Sequence, residues 1–424
     1  MKFYRAISLL LLLLTVQGAA YSNEPANEQT MFINYNIYSE ILGEERAIEV
    51  HLPQGYNSAN KLYPVLYILD GQRWFLYGAE LQNIFSEYEY TPEFIVVGVK
   101  NVYPDRFANF SSNSTKFRQF LKNDIINFVD KSYRTSNERM LFGWELGGGF
   151  VIETLYEHSQ LFNGYFASSP YPVDEKTTQA FKALFSNKPA LSKTFVFAEG
   201  EKESQQYLAH RLKDFLTENS PKPFKWTFQE LNREKTPILA HRMSPFDTLY
   251  IGLREYFHDY PSLEFASSAQ YTEFGGMQKI KKYYKDRAKK YQLDESIPFS
   301  GMFSLLKLAM SEDELALFDE LFQSFKNNGL IENTNIGWGT RYAKFYQKHK
   351  EYKKSVDAYQ LLLTKFPDNP RLLNGAAHSL LAIEKYKEAE TYLKKAVEVA
   401  ETQDKKNLSK YKKNLNDYLK VKME

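Results

Sequence analysis

The sequence predicts an α/β domain, a mostly parallel sheet with helices on both faces, followed by an all-α region. Three observations carry this reading. Between residues 46 and 200, short β-like runs alternate with stretches of helical spacing. After about residue 262 the β-branched runs stop, and Lys, Tyr, Leu and Glu dominate. Near the C-terminus, a segment starting at Tyr352 recurs at Tyr386, 34 residues later.

In sequence order, "RAIEVHLP" (46–53) alternates with period two, as a half-buried strand does. "YPVLYILDG" (63–71) and "EFIVVGVKN" (93–101) are continuous apolar runs ended by Gly or Asn, the pattern of buried parallel strands. "FRQFLKNDIINFVDKSY" (117–133) repeats its apolar residues at helical spacing. "RMLFGW" (139–144) reads as a strand, "VIETLYEH" (151–158) as a helix, and "FNGYFASSP" (162–170) and "KTFVFAEG" (193–200) as further strands. Residues 263–330 read as a helical connector, and 331–424 as two repeats with a capping helix near 403–422. In the repeats Ala343 aligns with Ala377, Ser355 with Ala389 and Tyr359 with Leu393, and Pro367 breaks the chain before the second copy. The period and the small residues in register resemble tetratricopeptide repeats.

The N-terminus "MKFYRAISLLLLLLTVQGAAYSNEP" places Lys2 and Arg5 before an apolar run and then small residues, the order of a secretory signal peptide cleaved before Tyr21. The expected location is periplasmic or secreted, with no transmembrane segment after cleavage. The sequence has no cysteine, which excludes disulfides and thiolate metal sites, so a mature protein of about 400 residues must rest on its cores. A net charge of +2 gives no reason to expect nucleic acid. Aromatic residues make up 16% of the chain, more than surface needs, and point to aromatic-rich cores. The histidines at 51, 158, 210, 258, 349 and 378 form no metal-ligand spacing with acids, and neither a metal nor a cofactor is expected.

The chemistry centres on "LFGWELGGGF" (141–150), where a strand runs into a helix through a glycine-rich turn. A serine hydrolase mounts its nucleophile on such a turn as G-x-S-x-G, but here the central residue is Glu145. Several stretches together resemble the esterase family that includes enterochelin esterase and esterase D, within the α/β-hydrolase fold. They are "ILGEERAIEVHLPQGY" (41–56), "YPVLYILDGQRWF" (63–75), the block 117–150, "LFNGYFASSP" (161–170) and "AHRMSPFDTLYIGLREYF" (240–257), in family order and within residues 31–262. Some members of that family also carry C-terminal helical repeats.

The turn's geometry assigns roles. The N–H of Leu146, at a helix N-terminus, can stabilise an oxyanion, and the N–H of Gln72 is the expected second donor. His241, expected between the last strand and the closing helix, is the candidate base. The acid that orients it is sought among Glu199, Glu201 and Glu203, with Glu203 preferred by spacing. Glu145 has no proton to give at neutral pH, so ordinary serine-esterase chemistry is not expected of it. The alternatives are an acidic nucleophile, as related hydrolases of epoxides and carbon–halogen bonds use with aspartate, or a displaced serine at Ser168 or Ser169. The Glu145 carboxylate is expected to fold toward the oxyanion donors or to pair with His241, and Trp144, where the family commonly has histidine, to narrow the mouth.

The expected function is therefore that of an exported esterase-like protein, catalytically impaired, that binds a small ester-like ligand or a protein. The alternative is an active hydrolase of a siderophore, acyl or aromatic-acid ester. In the repeat region, Thr340, Lys344, Lys348, Arg371, Asn374 and His378 are expected to face a groove that takes an acidic peptide or the carboxyl terminus of another protein, or else to form a solvated basic face.

Overall fold

The computed structural model describes residues 31–200, 206–231 and 236–423. They fall into two compact units, one of residues up to 84 together with 93–252, the other of 85–92 together with everything from 253 onward. In the first unit eight strands form one sheet, ordered β1-β2-β4-β3-β5-β6-β7-β8. They are β1 Met31–Ser39, β2 Glu44–Leu52, β3 Tyr63–Leu69, β4 Ile95–Val99, β5 Thr135–Trp144, β6 Gly164–Ser168, β7 Thr194–Gly200 and β8 Lys225–Leu231. β1 pairs with β2 and β2 with β4 antiparallel, and every pairing from β4 through β3 to β8 is parallel.

Burial explains which strands the sequence shows. Every residue of β3, β4 and β6 is buried, so β3 and β4 read as unbroken apolar runs and β6 as one that ends in Ser168. The edge strand β1 alternates exposed and half-buried residues, and β8 is mostly half-buried, which is why neither stands out by hydrophobicity. The connecting helices are α1 Gly71–Glu87, α2 Asp105–Asn109, α3 Ser114–Phe120, α4 Asn127–Ser132, α5 Leu146–Glu157, α6 Glu175–Asn187, α7 Gln206–Asn219 and α8 Pro237–Tyr256. A π-helical stretch, Leu121–Ile126, joins α3 to α4. The aromatic residues fill the core: Phe181 packs on Phe185, Phe195 and Phe224, and Phe117 on Phe120 and Phe150, all buried.

One buried polar group makes this unit sensitive to acid. His51 on β2 is fully buried, stacked on Phe32, with Nε2 2.9 Å from Gln82 Oε1 and 3.2 Å from Asn83 Oδ1. Both neighbours accept, so Nε2 carries the proton, and the buried Nδ1 faces no partner for a second. Burial pushes its pKa below the ordinary 6.5, against the two amides and the Glu80 carboxylate. The folded state therefore keeps His51 neutral while the unfolded state takes up a proton, so stability is lost as pH falls below about 6.5. The melting temperature should drop more steeply between about pH 7.5 and about pH 5 in the wild type than in His51→Gln. Parallel pH profiles would remove this assignment.

The second unit is helical: α9 Ser268–Phe274, α10 Gly276–Tyr291, α11 Phe299–Ser311, α12 Leu315–Phe325, α13 Ile331–Asn333, α14 Ile336–Lys348, α15 Tyr352–Lys365, α16 Pro370–Ala382, α17 Tyr386–Gln403 and α18 Leu408–Met423. Helices α14 and α15 begin 34 residues before α16 and α17. Ala343, Ala377, Ser355 and Ala389 are all fully buried, so the small residues stand where the helices meet. Residues 263–330 do more than connect: Tyr284, Leu306, Phe318 and Phe322 share one core with Tyr342, Tyr346, Leu362 and Leu372. Among the described residues no helix is long and apolar enough to cross a membrane.

Candidate active site

β5 ends at Trp144, α5 begins at Leu146, and Glu145 makes the turn between them with φ 56° and ψ −119°. A side-chain-bearing residue at positive φ costs of order 1–3 kcal/mol and persists only where its surroundings hold it. They do so here: Glu145 N donates to Ser168 O at 2.9 Å, and Glu145 O accepts from Gly149 N and Tyr171 N, both at 3.0 Å. The glycines follow from crowding around the turn. A Cβ on Gly143 would lie 2.3 Å from Gly147 O, and one on Gly149 2.2 Å from Tyr171 O.

The Glu145 carboxylate goes to neither destination expected from sequence. Its hydrogen-bond partner is Arg106 Nη1 at 3.2 Å, not the Leu146 N–H or His241. Arg106, on α2, is 1% exposed and held from several sides. Its Nε lies 2.9 and 3.0 Å from the two oxygens of Asp70, and its Nη2 donates to Asp70 Oδ2 at 2.9 Å and to Trp144 O at 3.4 Å. The Phe110 ring lies 5.4 Å from the guanidinium carbon. Asp70 is itself fully buried and at positive φ, in the corner between β3 and α1. Burial pushes the Asp70 carboxyl above its ordinary value, against the pull of Arg106, and Glu145 adds to the rise. Burial alone would lower Arg106, but the hydrogen-bonded Asp70 and then Glu145 carry it above its ordinary value. Arg106 therefore stays charged and the turn is built around it. No motif announced it, because "YPDRFANF" has neither periodicity nor a signature.

His241 lies inside α8, not in a loop ahead of it. Its carbonyl accepts from Trp144 Nε1 at 3.0 Å and from Ser244 Oγ at 2.9 Å, and its ring centroid lies 5.0 Å from that of Trp144. This helix is thereby tied to the turn that carries Glu145. Leu146 is the first residue of α5, whose first-turn N–H groups have no acceptor within the helix. Gln72 sits in the first turn of α1, where its side chain donates to Asn101 O at 2.7 Å and accepts from Asn101 N at 3.0 Å, fixing that helix end to the segment after β4. Glu199 is buried on β7, while Glu201 and Glu203 lie outside the described residues.

Trp144 is nearly buried, in edge contact with Trp74 at 5.6 Å and with the Arg73 guanidinium 5.5 Å from its ring. Ser168 and Ser169 are buried, their hydroxyls 2.7 and 2.8 Å from Ser244 Oγ. That network joins the end of β6 to α8. It leaves the two serines as structural links, away from solvent.

Of the groove residues expected on the helical region, Lys348 is drawn to Asp313 at 2.5 Å and Asn374 accepts from Asn414 of α18 at 2.9 Å. Lys344 and Arg371 are exposed, and His378 lines a cleft beside α18. Thr340 is a correction: it is buried, donating to Ile336 O at 2.7 Å within its own helix.

Comparison with known proteins agrees with this architecture. Residues 39–227 match the Esterase family, described as "Putative esterase". YbbA of Bacillus subtilis (strain 168) is 22% identical over 195 residues, 41% of this chain and 77% of that protein. In structure, a protein of Capnocytophaga ochracea DSM 7271 is similar with a TM-score of 0.53 at 13% identity, covering 92% of this chain and 99% of that one. An IroE-like serine hydrolase of Shewanella oneidensis is similar at 19% identity and a TM-score of 0.49, over 70% of this chain and 100% of that one. The mostly parallel sheet, the strained turn after β5 and the family match make this an esterase-like α/β-hydrolase fold followed by a large all-helical region.

Proposed function

We propose that this protein is an exported, catalytically impaired relative of esterases whose hydrolase unit serves in ligand or protein binding. The observation that carries the reading is the Glu145 carboxylate, which stands where a serine hydroxyl would be and is paired with the buried Arg106. A carboxylate there offers no proton to a base and no hydroxyl to attack a carbonyl. It also places negative charge beside the helix N-terminus that an oxyanion would need. The helical region, with its 34-residue period, is read as a pair of tetratricopeptide-like repeats with α18 as the cap, serving a protein or peptide partner.

The test is turnover. Wild-type protein should hydrolyse short-chain nitrophenyl esters no faster than His241→Ala, both at the background rate. Clear turnover that vanishes in Glu145→Ala or His241→Ala would replace this reading with an active carboxylic-ester hydrolase using an acidic nucleophile. Turnover lost only in Ser168→Ala would require that buried serine to be reached.

A further inference from the structure

The helical unit holds a cleft of about 1010 Å³, walled by the C-terminal half of α16, the turn into α17, and α18. Tyr386, 52% exposed, and the ring of Tyr418 line it. The Tyr418 hydroxyl is engaged at the back, 3.3 Å from Tyr386 O and 3.2 Å from Glu390 Oε2, which fixes the ring's orientation. The volume is at the upper end for sites that enclose a small ligand and accommodates several side chains.

The charges along the cleft set what it can take. Glu384, Glu388 and Asp417 face it together with Lys385 and Lys387. Lys385 and Glu388 satisfy each other at 2.9 Å, which leaves the Glu384 and Asp417 carboxylates against the single Lys387. The basic row read from sequence does not reverse this sign, because Lys348 is committed to Asp313 and only His378 of that row lines the cleft. The exposed ring of Tyr386 beside two carboxylates, with the buried Tyr418 packed behind, forms a receptor for a cation on an apolar stem. A guanidinium matches both surfaces, flat against a ring and forked toward a carboxylate.

We propose that this cleft is a docking site for a basic, extended segment of a partner protein, with an arginine laid on Tyr386 and paired to Asp417 or Glu384. The occupant is thus opposite in charge to the acidic peptide that the sequence suggests. The proposal is independent of what happens at Glu145.

The experiment titrates the full-length protein into fluorescein-labelled hexa-arginine and, separately, hexa-glutamate, read by anisotropy, with arginine amide as competitor. Hexa-arginine should bind saturably. Tyr386→Ala, which leaves every charge in place, should weaken it about tenfold, and Asp417→Lys by more. Both positions are on the surface of their helices, and unchanged melting curves confirm that the variants fold. Binding of hexa-glutamate in place of hexa-arginine would overturn the proposal. So would hexa-arginine binding that is equal in wild type and both variants, since that is diffuse attraction, or no binding of either peptide. Arginine amide that binds as tightly as the peptide would overturn the protein partner in favour of a free cationic ligand.

Discussion

Glu145→Ser should turn this protein into a measurable esterase. The substitution places a hydroxyl on a turn whose geometry is already set, with φ 56° held by backbone bonds from Ser168, Gly149 and Tyr171. It also removes a negative charge from the residue that caps α5, where the anion-stabilising N–H groups lie. One such donor contributes about 2.7–4 kcal/mol to a transition state, roughly a hundred- to a thousandfold in rate. Arg106 keeps its contacts with Asp70, so the change does not strand a buried charge. Short acyl esters of nitrophenol should respond first, because Trp144 and Trp74 crowd the turn. The expected result is turnover at least about a hundredfold above wild type, abolished by adding His241→Ala. Glu203→Ala in the Glu145→Ser protein should lower that turnover, which would assign the orienting acid. A Glu145→Ser protein that melts cooperatively yet stays inactive would show that His241 and the donors no longer converge.

Arg106→Met should cause the largest loss of stability of any single change at the site. Removing one partner of a buried ion pair leaves the other charge uncompensated, at a cost of about 3–5 kcal/mol. For a unit of this size that corresponds to a fall in melting temperature of about 10 °C. Asp70 would be the stranded group, fully buried and still constrained at positive φ. Adding Asp70→Asn to Arg106→Met should recover part of the loss, because asparagine tolerates the same backbone and carries no charge. By contrast, Glu145→Ala should shift the melting temperature little, since the Glu145 side chain is 37% exposed and its pairing is weakened by water. Calorimetric melts of the four proteins decide it. Arg106→Met melting within about 2 °C of wild type would mean that the guanidinium does not hold the turn together.

Much of the architecture is local and was therefore legible. Strands β3 and β4 announce themselves because a strand buried on both faces is apolar along its length. The turn at 143–149 is legible because backbone carbonyls approach too closely for any side chain at Gly143 or Gly149. The repeat helices start where they do because Asn335 and Asn369 cap them, their side chains accepting from Trp338 N and Leu372 N, and because Pro370 suits a first helical turn. Strands β1 and β8 carry no such signal for the same physical reason in reverse, since an edge that faces water need not be apolar.

What only the tertiary structure decided is where the charges go. Asp70 and Glu145 stand 36 and 39 residues from Arg106, and no spacing rule links them. Glu145 could be named from sequence because its backbone is special, but its partner could not, because any buried cation within reach would do. The same holds for His241, placed on a helix rather than ahead of it, for Lys348, drawn to Asp313, and for Thr340, turned inward. Periodicity and backbone crowding act within a few residues and are written in the sequence. The partner of a charge is selected by which side groups folding brings within a few ångströms, and by how little water remains to screen them.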